Sequence, residues 1–211
     1  MSSAPAQAPS RELSNYYRWH SRIYDLTRWA FLFGRHEIIR RAVRTTASPE
    51  RILEVGCGTG KNLVALARAF PEAEITGLDL SSDMLDRARP KLAGFGERVR
   101  LLHRRYDAPV ADGKKFDLVL FSYSLSMINP GYEGVLDLCR EDLAPGGCVA
   151  VVDFHQSRAA WFRRWMGVNH VRMEGHLLEA FRARFEPRSS EISSAYGGLW
   201  QYLLYLGHIR P

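Results

Sequence analysis

The chain has 211 residues, 46% hydrophobic and 25% charged, with a net charge of +6. That balance excludes a disordered or fibrous chain and supplies one full core. Three cysteines without CxxC or Cys/His spacing exclude a disulfide framework and a zinc site, so a reduced, cytosolic chain is expected.

The order of elements begins with MSSAPAQAPS, residues 1–10, which has no apolar h-region and reads as an unstructured leader. Residues 11–49 follow as a helical segment. At 100° per residue, Leu13, Tyr16, Tyr17, Trp19, Ile23, Tyr24, Leu26, Ala30 and Phe31 share one half of the wheel. The spacing predicts an amphipathic helix from Ser10 to about Arg28, with Ser10 as N-cap. Trp29, Leu32 and Phe33 fall off that stripe, beside arginines, as in an interfacial membrane element. No run reaches the ~18 apolar residues of a membrane span, so any membrane contact is expected to be peripheral.

From Glu50 to the end, residues 50–211, strands and helices alternate. RILEV, EITGLDL, RVRLLHR, FDLVLFSYSL and CVAVVDF read as strands, with helices NLVALARAF, DMLDRARPKLA and GYEGVLDLCREDL between them. This order predicts a doubly wound, mostly parallel α/β sheet with helices on both faces. WFRRWMGV and GHLLEAFRARF read as helices. EPRSSEISSAY and LWQYLLYLGHI, joined through Gly197 and Gly198, read as an antiparallel hairpin. LWQYLLYL is apolar at nearly every position and is expected inside the sheet.

Chemistry concentrates in EVGCGTG, Glu54 to Gly60, which closes a strand and opens a helix. A P-loop is excluded because Val55 stands where its first glycine belongs and Asn62 replaces its Ser/Thr. The dinucleotide fingerprint is excluded because Lys61 occupies its third glycine position. There remains G-x-G-x-G behind an acid, which lets backbone approach a ligand while Glu54 meets a cationic group.

These residues resemble the class I S-adenosylmethionine-dependent methyltransferases: EVGCGTG is similar to their first motif, and LAPGG to the turn before their fifth strand. The resemblance implies a Rossmann-like sheet, S-adenosylmethionine as cofactor and S-adenosylhomocysteine as product. It places Glu54, Gly56, Cys57, Gly58 and Gly60 at the cofactor, Asp79 at the ribose hydroxyls and Leu80 and Met84 under the adenine. Asp107 and Ala108 fall beside the adenine amino group, and Ser122, in the fourth strand, is a further cofactor contact. No metal is expected.

The flanks IYDLTRWAFLFGR, WMGVNHVRM and GGLWQYLLYLG are similar to the bacterial betaine-lipid N-methyltransferases. That likeness implies threefold methylation of the diacylglyceryl-homoserine amine, a lipid substrate, and contact with the inner face of an anionic membrane from the cytoplasm. The N-terminal helix then becomes a lid. Tyr24, from the YD pair, is the candidate above the methyl group. Tyr16, Tyr17 and Trp19 offer rings to the positively charged nitrogen, and Arg22, Arg35, His155, His170 and Arg172 are candidate partners of the head-group carboxylate. Phosphatidylethanolamine N-methylation is the near alternative, and quinone or small-molecule C-methylation a further one. A nucleic-acid substrate is not expected, because FSYSLSM lacks the prolines of base N-methyltransferases. The sequence leaves the oligomeric state open.

Overall fold

A computed structural model describes residues 31–209, and from Gly34 onward the described residues form one compact unit. Its centre is a seven-stranded sheet in the order β3-β2-β1-β4-β5-β7-β6. The strands are β1 (Arg51–Val55), β2 (Glu74–Asp79), β3 (Val99–His103), β4 (Phe116–Ser122), β5 (Leu143–Gln156), β6 (Phe185–Ala195) and β7 (Trp200–Ile209). Strands β1 to β5 pair in parallel, while β7 runs antiparallel to both of its neighbours, β5 and β6. The antiparallel hairpin read from the sequence is therefore present, and its apolar arm is interior.

The residue types explain these positions. All five residues of β1 are buried, as a central parallel strand requires. Strand β6 is polar along most of its length and lies at the edge, where Pro187 coincides with a break in register. Strand β5 starts earlier than the sequence suggests. Leu143 pairs with Phe116, so LAPGG forms an irregular first stretch of the strand rather than a turn before it.

Among the described residues six α-helices cover the sheet: α1 (Arg35–Thr45), α2 (Lys61–Ala69), α3 (Ser82–Leu92), α4 (Tyr132–Asp142), α5 (Ala160–Val168) and α6 (His176–Arg184). Val149 and Val151 of β5 join Leu136, Cys139, Leu177 and Phe181 of α4 and α6 in one core cluster. Helix α1 packs on β5 and β7 through buried Ile38, Ile39 and Ala42. Among the described residues, no helix is long and apolar enough to cross a membrane. No group of three or more potential metal ligands comes together among them either.

Candidate functional site

At the carboxyl end of β1 the chain turns through Gly56, Gly58 and Gly60 at φ 76°, 52° and 74° before entering α2. Two of these positions exclude a side chain outright. A Cβ on Gly56 would lie 2.7 Å from the Ser124 Cβ, and one on Gly60 would lie 2.9 Å from the Ala88 Cβ. Both also need the left-handed backbone that glycine adopts without cost. The amides of Gly56 and Cys57 donate to the carbonyl of Leu78, tying the loop to β2.

Asp79, the last residue of β2, is the second tie. Its Oδ2 accepts the Gly58 amide at 2.7 Å and its Oδ1 the Ser81 amide at 2.9 Å. A carboxylate has about four lone-pair directions, so each oxygen keeps one for a ligand. The Ser81 hydroxyl accepts the Met84 amide and caps α3, which relieves Asp79 of capping. Beside it, Leu80 is 60% exposed, an apolar surface next to two aimed oxygens, and Met84 is half-buried.

Glu54 is 1% exposed. Its Oε1 accepts the Asn62 amide at 2.7 Å, and the Asn62 Oδ1 accepts Nε and Nη2 of Arg35 at 3.0 and 2.8 Å. The guanidinium thus fixes which way the amide points, and the amide fixes the carboxylate. In the sequence Asn62 stands out only as a departure from the P-loop, not as a site residue. Its signal is a polar residue on a helix face whose neighbours Leu63, Leu66 and Ala67 are core.

The carboxyl ends of β4 and β5 and the amino end of β7 bring together a second group. Ser122 is buried, and its hydroxyl has no hydrogen-bond partner among the described residues. Tyr123 adopts φ 57° and is buried, its ring edge-on to Phe154 at 4.7 Å between centroids. Phe154 pairs with Tyr202 across β5 and β7. Burial, reinforced by Asp153, raises the Tyr123 phenol well above its usual range, so it stays protonated. Buried Asp153 accepts the amides of Leu125, Ser126 and Phe154 and so anchors the turn after β4. Burial pushes its pKa up to about 6.

Asp107 is exposed with Arg104 at 3.8 Å, and Ala108 is exposed, its carbonyl accepting Arg104. Cys57 is a buried loop filler whose thiol is raised by burial and then by Glu54. Arg35 is directed to Asn62, and Arg172 pairs with Glu174 at 2.7 Å. His155 is buried, and that burial lowers its pKa. His170 is exposed at φ 61°. Tyr16, Tyr17, Trp19, Arg22 and Tyr24 lie outside the described residues.

Comparison with known proteins gives this geometry a family. Residues 52–147 match the family described as a methyltransferase domain. The ubiquinone/menaquinone biosynthesis C-methyltransferase of Syntrophotalea carbinolica is 30% identical over 184 residues, 82% of this chain and 76% of that protein. The chain belongs to the S-adenosylmethionine-dependent methyltransferases. A trans-aconitate 2-methyltransferase from Pseudomonas paraeruginosa is 34% identical over 117 residues, but the match spans 40% of that enzyme's length. Among solved structures, the fold is shared with 1,6-didemethyltoxoflavin-N1-methyltransferase of Burkholderia thailandensis. That structure has a TM-score of 0.71 and 20% identity, covering 100% of this chain and 94% of that one. It is also shared with the N-methyltransferase NodS of Bradyrhizobium japonicum, at TM-score 0.69, 18% identity and 84% and 86% coverage. The Rossmann-like methyltransferase fold expected from the sequence is thus present, including the sheet and its terminal hairpin.

Proposed function

We propose that this methyltransferase binds S-adenosylmethionine at the EVGCGTG loop and methylates the amine of diacylglyceryl-homoserine to give the trimethylated betaine lipid. The observation that carries the cofactor assignment is the doubly tethered Asp79 beside a three-glycine turn whose cramped positions admit no side chain. The residues fit the group. Glu54, aimed by Asn62, suits the ammonium of the methionine part, and the outward lone pairs of Asp79 suit two ribose hydroxyls. Exposed Leu80 and half-buried Met84 suit an apolar floor for adenine, and exposed Asp107 and Ala108 suit its amino edge.

The donor, when bound, supplies an electrophilic methyl group on a sulfonium. The protein's part is alignment, since in-line displacement rewards close orientation of the two reacting atoms. An amine acceptor gains positive charge as it is methylated. The rings of Tyr123, Phe154 and Tyr202 gather at the strand ends beside the loop and can stabilise that charge. Each suitably placed ring contributes about 0.5–2 kcal/mol. Protonated Tyr123 acts as a hydrogen-bonding group rather than a base, and Asp153 spends its oxygens on backbone amides. The inner face of an anionic membrane, reached from the cytoplasm, is the place of action this substrate requires.

A second reading has its own support, because the Syntrophotalea relative is a quinone C-methyltransferase. Labelled S-adenosylmethionine offered with diacylglyceryl-homoserine, phosphatidylethanolamine and demethylmenaquinone separates the cases. Label in the homoserine lipid with three successive methyl additions is the expected result. Label confined to the quinone ring, or to phosphatidylethanolamine, defeats the betaine-lipid assignment.

A further inference from the structure

Helix α5 turns two faces in opposite roles. Phe162 and Met166 are buried, and Phe162 stacks on buried Trp200 at 5.2 Å between centroids. Trp161, Trp165 and Val168 are 66%, 48% and 70% exposed. Their spacing of i, i+4 and i+7 places them within about 60° of arc at 100° per residue. They form a narrow apolar stripe on a helix locked from beneath. Exposed Tyr196, packed on Trp200 at 4.9 Å, extends the patch onto the β6–β7 turn.

Charge completes the picture. Between Asp153 and Glu174 the chain has no acidic residue, but it carries Arg158, Arg163, Arg164, His170 and Arg172. Arg158, Arg163, Arg164 and His170 are exposed. Large indole rings among arginines suit the boundary between head groups and acyl chains. A second copy of the chain fits poorly, because a two-fold contact sets each patch against itself and brings its arginines together. An anionic surface neutralises those same charges.

We infer that α5 is a membrane-docking element that seats Trp161, Trp165 and Val168 in an anionic phospholipid surface. The helix follows the carboxyl end of β5, the same end of the sheet as the glycine loop, so docking holds that end toward the bilayer. The inference goes beyond the methyl-transfer reading, and its vesicle readouts need neither cofactor nor acceptor, so either can fail alone.

The native cysteines are all buried, so a cysteine placed at the surface can be labelled selectively. The full chain carrying Trp161→Cys, labelled with nitrobenzoxadiazole, is mixed with phosphatidylcholine vesicles with or without phosphatidylglycerol. Exposed Glu72 in the α2–β2 turn, as Glu72→Cys, serves as the control. The label at 161 is expected to brighten, shift to the blue and be quenched by brominated acyl chains only with phosphatidylglycerol, while that at 72 stays aqueous. Unlabelled Trp161→Ser/Trp165→Ser is expected to lose at least tenfold in vesicle partition with S-adenosylhomocysteine affinity unchanged. A label at 161 that stays aqueous, brightening that tracks protein concentration without vesicles, or undiminished partition of the double variant each overturns the inference.

Discussion

Replacing Asn62 tests the link between Arg35 and the cofactor loop. Its amide group bridges a buried carboxylate and a guanidinium through three hydrogen bonds of 2.7–3.0 Å. Hydrogen bonds to charged groups each contribute about 1.5–3 kcal/mol, and a buried group left unpartnered costs a similar amount. Asn62→Ala is therefore expected to lower stability by about 3 kcal/mol in chemical denaturation. It should also weaken S-adenosylhomocysteine binding at least tenfold by calorimetry, about 1.4 kcal/mol. The loss is specific to one end of the ligand. 5′-Methylthioadenosine, which lacks the amino-acid part, should bind the variant as it binds the parent. Asn62→Asp still accepts from Arg35 but sets a second carboxylate against Glu54, so its binding defect should exceed that of Asn62→Ala and recede as the pH falls. Equal losses for both ligands, or no loss for either, would refute the relay.

Other consequences follow from the same geometry. Gly60→Ala forces a side chain into φ 74° against Ala88, and the backbone term alone costs about 1–2 kcal/mol; an unchanged denaturation midpoint would contradict this. Asp153 binds its proton more tightly folded than unfolded, with its pKa raised from 3.8 to about 6. Its stabilising share is therefore full below pH 4 and lost as the pH rises through 6. Relative to Asp153→Asn, the parent should lose roughly 3 kcal/mol over that interval and stay level above it; a difference flat across pH 4–7 would contradict the assignment. The three thiols are buried and shifted upward, Cys148 to about 11, so they should resist alkylation at pH 8 until the protein is denatured; prompt native labelling would speak against their burial.

The sheet was legible because its signals are local. Apolar runs such as LVLF and VAVV mark strands buried on both faces, and LWQYLLYL against EPRSSEISSA distinguishes an interior strand from an edge. The glycine loop and Asp79 were legible because each stands at the end of a strand. What escaped depends on residues distant in the chain. Arg35 meets Asn62 across 27 positions, Asp153 anchors the Leu125 turn from 28 positions away, and Phe154 meets Tyr202 only through the antiparallel register. The irregular start of β5 escaped because LAPGG carries the residue types of a turn, while its pairing with Phe116 is set by the neighbouring strand.

The central claim is that the glycine loop and Asp79 hold the methyl donor. Titration of the full chain with S-adenosylhomocysteine, beside the same titration of Asp79→Ala, tests it most directly. One site per chain and at least a tenfold loss in the variant are expected. No binding to the parent, or the same affinity in both proteins, would contradict it.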